Sequence, residues 1–331
     1  MTAAGKTEKR EPYIDCLRGT AIILVVLGHL NPGMVLETWI YSFHMFLFFF
    51  LSGYLFKRKQ GFRRQAAAAA KSCLIPYFFW SLCAVLFSLA IGEYDYRMAL
   101  CKLFYIGGSV SWNSPVWFLV VLFWLKLLGQ AAGEHPAVQT ALIAAGLLLG
   151  YSEVLSGLPF GLPIFPTAAA FFFLGRLRYS SPRLQTVWSN VPVWIKMIGI
   201  LALVGIGCWA GLRNGRISVY GVFYGYYPFA LVSGVSGVLG LWLFAGLAYE
   251  RGLRVQLLEY WGRYTMNVMC THYFILRVLS IWSLCVVDWD IWHSEGTGKA
   301  ILCTAVVFGL EYLVIETLKY FKTSSTNIFI L

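Results

Sequence analysis

Apolar segments long enough to cross a lipid bilayer recur along the chain, and no other feature constrains its fold as strongly. A transmembrane helix needs about 20 predominantly apolar residues. Of the 331 residues, 59% are hydrophobic and only 12% are charged, whereas soluble domains have about 25% charged residues. The sequence therefore predicts an all-α, polytopic integral membrane protein. About ten transmembrane helices are predicted, at approximately 14–31, 39–56, 73–92, 114–131, 137–154, 164–177, 191–211, 224–248, 259–284 and 299–320.

The distribution of lysine and arginine predicts the orientation of these helices. If the N-terminus lies inside, alternation places most basic residues on the cytoplasmic side, including the basic segment 57–71, and gathers acidic residues such as Glu93 outside. Cytoplasmic loops of membrane proteins carry an excess of Lys and Arg. We therefore expect N- and C-termini that are cytoplasmic, in a single domain over 1–331 with polar tails at 1–12 and 322–331.

Net charge and cysteine content limit the kinds of ligand and partner that the sequence predicts. The formal charge of +11 does not indicate nucleic acid, because the basic residues lie in short clusters between apolar segments, where they orient the chain. The 8 cysteines are scattered without C-x-x-C spacing, which is typical of small buried hydrophobic residues and predicts no metal. The lipid bilayer is the expected partner, and a homo-oligomer is compatible with the sequence. The connecting segments 93–113 and 155–166 have room for short interfacial or re-entrant helices.

Arg18 and His29 lie on one face of the first predicted helix. Eleven residues are almost three turns, which places the two side chains about 16 Å apart along the axis. Asp15 precedes Arg18 by three residues and can pair with it. His29 is either a neutral imidazole bonded to a neighbouring helix or, because imidazole titrates near neutral pH, a general base or nucleophile.

A basic segment follows the second predicted helix. Its members surround the alanine run 66–70, which has high helix propensity. Such a segment can anchor the chain at anionic lipid head groups, which is the commoner explanation, or it can bind a phosphorylated cytoplasmic molecule. The candidate ligand-binding residues are Lys57, Arg58, Arg63, Arg64 and Lys71.

Further polar residues interrupt apolar segments. His44 and His272 bring the number of histidines in such segments to three, which is more than anchoring needs. Ser52 precedes Gly53, a pair that favours close helix packing over nucleophilic chemistry. Arg213 and Arg216 lie on the predicted outer side, where a solvated loop is the commoner explanation and contact with an acidic or hydroxyl-bearing acceptor is the alternative.

The stretch NSPVWFL begins the fourth predicted helix at Asn113. Ser114 followed by Pro115 is typical of a helix N-terminus. Trp117 is either an interfacial residue or the wall of a binding tunnel.

In this order, the stretches YIDCLRGTAIILVVLGH, FHMFLFFFLSGYLF, RRQAAAAAKSCLIPYFFWS, SPVWFL, AAFFFLGRL and LLEYWGRYTMNVMCTHYF resemble the membrane-bound acyltransferase family 3, from about Tyr13 to His272. Within it the chain most resembles the branch of fucose 4-O-acetylase-like proteins. The resemblance implies a multi-pass O-acetyltransferase of a bacterial-type cell membrane. Its members transfer acyl groups other than aminoacyl groups, usually acetyl from acetyl-CoA, to hydroxyls of cell-surface carbohydrates, antibiotics or related acceptors.

The resemblance also implies residue roles. The family pattern of arginine, ten residues and histidine falls on Arg18 and His29, which it implies are catalytic, with His29 as base or transient acyl carrier. The family's basic stretch falls on 57–71, implying a binding site for the phosphates of CoA. The WFL signature begins at Trp117, which is expected to bind the CoA donor as well. The remaining candidates are expected to contact the acceptor or support the site: His44, Ser52, Asn113, Glu37, Arg213, Arg216 and His272.

The chain departs from the family pattern at three places. Phe46 and its neighbours stand where relatives carry an acidic residue, so no carboxylate partner of His29 carries over; Glu37 is near in sequence, but an expected loop position makes it a weak candidate. FHMF replaces FHMP, and GRYTM replaces GRNSL, so the acceptor contacts are expected to differ.

The alternative from another functional class is a proton-coupled exporter of a glycan or small molecule, in which the buried histidines relay protons. Such transporters usually have repeat symmetry between their halves, and the sequence has no visible repeat. A membrane sensor would usually carry a soluble output module, which the sequence does not contain.

Overall fold

The computed structural model describes residues 11–92, 112–152, 155, 157–179, 190–287, 290–292 and 295–324. In these ranges the chain is helical, with a single isolated β-bridge between Ser218 and Phe223. The all-α prediction is confirmed. The expected tails 1–12 and 322–331 and the segment 93–113 lie largely outside the described residues.

Thirteen α-helices follow one another in the described part of the chain. A π-helical turn, Ala70–Leu74, continues α4 into α5, and a 3₁₀ turn, Ser114–Val116, leads into α6. The helices are α1 Pro12–Gly28, α2 Met34–Tyr41, α3 His44–Tyr54, α4 Phe62–Ala69, α5 Ile75–Ala90, α6 Trp117–Ala132, α7 Pro136–Tyr151, α8 Phe165–Tyr179, α9 Val193–Asn214, α10 Tyr227–Glu250, α11 Gln256–Arg263, α12 Thr265–Val287 and α13 Thr297–Ser324.

Seven helical stretches in the described residues are long and apolar enough to cross a membrane. They are Met34–Tyr54, Phe62–Ala90, Ser114–Ala132, Val193–Asn214, Tyr227–Glu250, Thr265–Val287 and Thr297–Tyr320. The chain is therefore a multi-pass membrane protein. Three further predicted spans correspond to α1, α7 and α8, which have 17, 16 and 15 residues. These are shorter than the roughly 20 residues that a span needs, so ten spans and cytoplasmic termini remain predictions.

Helices α3 and α8 form the centre of the core because glycines allow their backbones to meet. A Cβ on Gly53 would overlap the carbonyl group of Phe172, and a Cβ on Gly175 would overlap that of Phe50. Small residues permit such contact between helices in membranes, where packing drives association. Buried phenylalanines fill the space alongside, and the rings of Phe46 and Phe171 stack with centroids 4.3 Å apart. The packing interpretation of the Ser52–Gly53 pair is confirmed.

A second glycine pair joins the start of α1 to the short helix α11. A Cβ on Gly19 would overlap the carbonyl of Leu258, and one on Gly262 would overlap that of Asp15. Buried Glu259 of α11 accepts two hydrogen bonds from Arg254, at 2.9 and 2.7 Å. The contact with α11 therefore fixes the first turns of α1, which precede the segment that leads to His29.

Candidate functional site

A cavity of about 660 Å³ lies between α1, α3, α6 and α12. Among the described residues, its lining includes five lysine and arginine side chains but no aspartate or glutamate. A cleft lined by one sign of charge concentrates ligands of the opposite sign. The cavity therefore favours an anionic ligand. The basic residues are Arg18, Lys57, Lys59, Lys126 and Arg216.

The cavity has two ends, because α1 and α3 run antiparallel beside it. The hydroxyls of Tyr13 and Tyr54 are 3.1 Å apart, so the start of α1 lies beside the end of α3. Arg18 and three lysines line the cavity here, and we call this group the lysine end: Arg18, Lys57, Lys59 and Lys126. The opposite group, the histidine end, contains His29, Tyr41, His44, Arg216 and Tyr273. Arg18 and His29 are separated by about 16 Å of helix axis, as their spacing predicts.

Two tyrosine hydroxyls contact the same nitrogen of His29. The Oη atoms of Tyr41 and Tyr273 lie 3.1 and 3.0 Å from Nδ1. One tyrosine comes from α2 and the other from α12, so two separate elements fix the orientation of the imidazole. This arrangement leaves the second ring nitrogen, Nε2, for other chemistry.

The turn after α1 fixes the backbone of His29. Asn31 has a φ of +49° and Gly33 a φ of +97°, on either side of Pro32, which together end the helix. Trp292 donates from Nε1 to the carbonyl of His29 at 3.2 Å, and Lys299 donates to the carbonyl of Leu30 at 2.7 Å. Backbone and ring of His29 are thus both held.

The two other histidines predicted for the site lie close to His29. The rings of His29 and His272 stack with centroids 5.7 Å apart, and His44 lines the same cavity. Nδ1 of His44 lies 2.8 Å from the carbonyl oxygen of Ile40, and Nδ1 of His272 lies 2.6 Å from that of Val268. Because a carbonyl only accepts, each Nδ1 carries the proton and each Nε2 is the acceptor.

Glu37 and Arg216 form an ion pair beside this group. Their side chains are 2.9 Å apart, and the guanidinium lies 4.4 Å from the ring centroid of Tyr41. Glu37 lies within α2, so its expected loop position is wrong. Among the described residues, Glu37 is linked to His29 through Arg216 and Tyr41. Arg213 is exposed at the end of α9 and does not line the cavity.

At the lysine end, Lys126 projects from a membrane-spanning helix into the cavity. Its Nζ lies 2.8 Å from Oγ of Ser72 and 3.3 Å from Sγ of Cys73, both in the π-helical turn. Lys126 and Lys59 are missing from the candidates that the sequence suggested. A charged residue within an apolar segment is itself a signal for function, and Lys126 carries that signal.

Gln130 fixes the loop that holds the other two lysines. Its side-chain oxygen accepts from the backbone nitrogen of Lys59 at 3.2 Å, and its side-chain nitrogen donates to the carbonyl of Lys59 at 3.1 Å. Arg58 donates to the backbone carbonyl of Gln130 at 3.2 Å. Lys57 and Lys59 are therefore presented to the cavity by an ordered loop.

The other basic candidates lie near this end but outside the cavity lining. Arg63, Arg64 and Lys71 are exposed on α4 and the turn that follows it, and Arg64 donates to the side chain of Gln60 at 3.0 Å. Arg58 also does not line the cavity. Of the five predicted basic residues, therefore, only Lys57 lines the cavity.

The remaining candidates occupy supporting positions. Arg18 lies 3.8 Å from Asp15, which confirms the predicted pairing. Ser52 lines the cavity and donates to the carbonyl of Phe48 at 2.7 Å. Trp117 is buried and lines the cavity, which fits the tunnel-wall interpretation better than the interfacial one.

The start of α6 differs from the helix N-terminus that the sequence predicts. Asn113 occupies the capping position without a side-chain capping bond, and Ser114 is the first residue of the 3₁₀ turn. The amide of Asn113 is fully buried, and neither of its side-chain polar atoms has a hydrogen-bond partner among the described residues. Ser114 lines the cavity instead of capping the helix.

Comparison with known proteins adds one finding. Residues 11–315 match a family model described as an acyltransferase domain. No curated protein and no solved structure matches the chain. In the described part of the chain, no group of three or more His, Cys, Asp or Glu side chains is placed to hold a metal ion.

Proposed function

The chain belongs to acyltransferase family 3, and on that premise we propose that this membrane acyltransferase moves an acetyl group from acetyl-CoA to a hydroxyl of a cell-surface carbohydrate or its precursor. The observation that carries the proposal is the single cavity that joins His29 to three lysines and Arg18. A thioester donor needs both a site for its phosphates and a base or nucleophile at its acyl end.

The phosphates of CoA bind at the lysine end in this proposal. Lys57, Lys59 and Lys126 supply ammonium groups, and Arg18 supplies a guanidinium that can form two parallel hydrogen bonds to a phosphate. The absence of acidic side chains from the described cavity lining supports an anionic donor here. The exposed bases Arg58, Arg63, Arg64 and Lys71 attract the donor by their charge, without lining its site.

The pantetheine arm then extends toward His29 through the apolar middle of the cavity, which Ile22, Phe48 and Leu122 help to line. In direct transfer, Nε2 of His29 takes the proton of the acceptor hydroxyl while the hydroxyl oxygen attacks the thioester carbon. The C–S bond breaks, and the proton passes from His29 to the CoA sulfur.

Transfer through an acyl-enzyme is the other route. Nε2 of His29 attacks the thioester carbon, and CoA leaves as its thiol after taking up a proton. The acceptor oxygen then attacks the acyl-imidazole carbon, the C–N bond breaks and the acceptor proton is released to solvent. Both routes use the same nitrogen and the same cavity.

The acceptor reaches His29 from the histidine end. Arg216 and His44 offer a donor and an acceptor for hydroxyl groups, and the ring of Trp117 offers a flat apolar face to a sugar. In this proposal Asn113 and His272 support this end by packing, and Glu37 does so by its ion pair with Arg216. Ser52 supports the cavity wall nearer the lysine end, and Arg213 lies on the adjoining surface.

The test is acyl transfer by the purified protein in lipid nanodiscs with acetyl-labelled acetyl-CoA. Glycan fractions, simple sugars and a no-acceptor control are compared, and the labelled product is identified by mass spectrometry. We expect label in a carbohydrate ester. Label in a different acceptor class would overturn the carbohydrate assignment, and absence of CoA binding in calorimetry would overturn the donor assignment. Glycan export without acyl transfer would favour the exporter, which the family match does not.

A further inference from the structure

His29 has no carboxylate partner in the described residues. A catalytic histidine is usually oriented by a group that accepts a hydrogen bond from its second nitrogen, and that group is often a carboxylate. Within the part of the chain that the structure describes, the side-chain hydrogen-bond contacts of Nδ1 are the hydroxyls of Tyr41 and Tyr273, at 3.1 and 3.0 Å. The contacts converge on one atom from two different helices.

We propose that Tyr41 and Tyr273 are positioning residues, which accept in turn the hydrogen bond donated by Nδ1–H of His29 and so keep Nε2 unprotonated and directed at the acyl donor. This inference rests on the proposed function of His29. A hydroxyl oxygen has lone pairs to accept this hydrogen bond, and its own proton points elsewhere. Since Nδ1 has a single proton, one tyrosine suffices at any moment.

The surroundings of His29 support a tyrosine pair over an ionic partner. The groups that face it are Tyr41 from α2, His44 from α3, His272 and Tyr273 from α12, and Arg216 from the segment after α9. None of these is an anion, and the charge of Arg216 is balanced by Glu37 at 2.9 Å. A neutral imidazole suits this environment, because no negative charge stabilises its protonated form.

Each tyrosine is itself fixed by a second contact. The guanidinium of Arg216 covers the ring of Tyr41, with 4.4 Å between its carbon and the ring centroid. The ring of Tyr273 lies edge-on to that of Trp292, with centroids 5.1 Å apart. Trp292 also donates to the carbonyl of His29. The hydroxyls are therefore held in place before any ligand binds.

The experiment compares Tyr41→Phe, Tyr273→Phe and the double variant, with Tyr227→Phe as the matched control. Tyr227 is buried, and its hydroxyl contacts Thr167 at 3.4 Å, away from His29. We expect each single variant to lose less than about tenfold in kcat and the double variant about 100-fold, within the range of acid–base catalysis. KM for acetyl-CoA should stay within about twofold, because the phosphate site is distant.

A spectroscopic measurement separates positioning from a merely structural role. In protein labelled with ¹⁵N-histidine, the His29 signals are assigned by their loss in His29→Ala. We expect the Nδ1–H tautomer in the wild type and a larger share of the other tautomer in the double variant. A wild type already in the Nε2–H tautomer, or a double variant with unchanged kcat, would overturn the inference.

The tautomer measurement requires no turnover, so it also separates two kinds of failure. If His29→Ala remained active while the tautomer followed the tyrosines, the proposed function of His29 would fail and the positioning would stand. If His29→Ala were inactive and the double variant behaved as the wild type, only the tyrosine inference would fail.

Discussion

The lysine end and the histidine end of the cavity are built on different physical principles. At the lysine end, long side chains from the loop after α3 and from α6 present charges, and the side chain of Gln130 holds the backbone of that loop. At the histidine end, short-range contacts between rings and hydroxyls from several elements converge on one imidazole. Charges act over many ångströms, whereas hydrogen bonds require alignment.

This difference predicts different responses to mutation. Residues of the lysine end should act additively and mainly on donor binding, because each ammonium contributes its own attraction. Residues of the histidine end should act together and mainly on the chemical step, since the effect of each depends on the orientation of His29. The following variants test this contrast.

His29→Ala should have the largest effect. Because the base or nucleophile is lost, kcat for acyl transfer should fall by about 10²- to 10⁴-fold. CoA binding measured by calorimetry should stay close to that of the wild type. His135→Ala is the control, because His135 is exposed at the start of α7. A His29→Ala protein with normal turnover would remove His29 from the mechanism.

Lys126→Met should raise KM for acetyl-CoA by about 10-fold or more, the value of one charge-assisted hydrogen bond. The triple variant with Lys57→Met and Lys59→Met should raise it further. KM for acetyl-pantetheine, which lacks the nucleotide phosphates, should not change. The matched control is Arg63→Gln with Arg64→Gln, which we expect to have the smaller effect. An equal loss with both donors would contradict phosphate binding at the lysine end.

Gln130→Leu should have a moderate effect of about 3-fold on KM for acetyl-CoA, because it frees the loop of Lys57 and Lys59 without removing a charge. Two hydrogen bonds to the backbone of Lys59 are lost, each worth about 1 kcal/mol to the order of the loop. Only part of that loss reaches KM, because both lysines keep their charge. We expect kcat to be unchanged. A fall in kcat with unchanged KM would mean that the loop acts on chemistry, which would break the contrast between the two ends.

The ion pair between Arg254 and Glu259, which lies beside the start of α1, should make the stability of the protein sensitive to acid. This is the smallest effect that we expect. Hydrogen bonds from Arg254 lower the pKa of Glu259 below its ordinary value. The stabilisation is therefore complete above about pH 5 and lost as pH falls through and below about pH 4. We expect the thermal midpoint to fall over this window by less in Glu259→Gln than in the wild type, measured by tryptophan fluorescence. Identical falls in both proteins would show that the pair contributes nothing.

Part of the site could be predicted from local sequence. The spacing of Arg18 and His29 fixes their common face, because it depends only on helix periodicity. The basic segment 57–71 is visible as composition, yet of its basic residues only Lys57 and Lys59 line the cavity. Which lysines face inward depends on how α4 packs against α6, and a single sequence does not encode that packing in any short pattern.

The tyrosines were beyond prediction for the same reason. Tyr41 and Tyr273 are 232 positions apart, and aromatic residues make up 17% of the chain. Tyrosines at membrane interfaces are common, so neither stands out until the fold brings both hydroxyls to Nδ1 of His29. Lys126 is the exception, because a cation within an apolar segment indicates function from sequence alone. The structure shows where it lies: it lines the cavity and donates to Ser72.

By itself the sequence determined that this chain is an all-helical membrane protein, because long apolar segments have no other stable form in lipid. It also determined that one arginine and one histidine share a helix face, since 3.6 residues per turn leave no other result. Only the tertiary structure decided that the cavity carries lysines at one end and a tyrosine-held histidine at the other. Those contacts depend on glycines that let α3 meet α8 and on the packing of helices far apart in sequence.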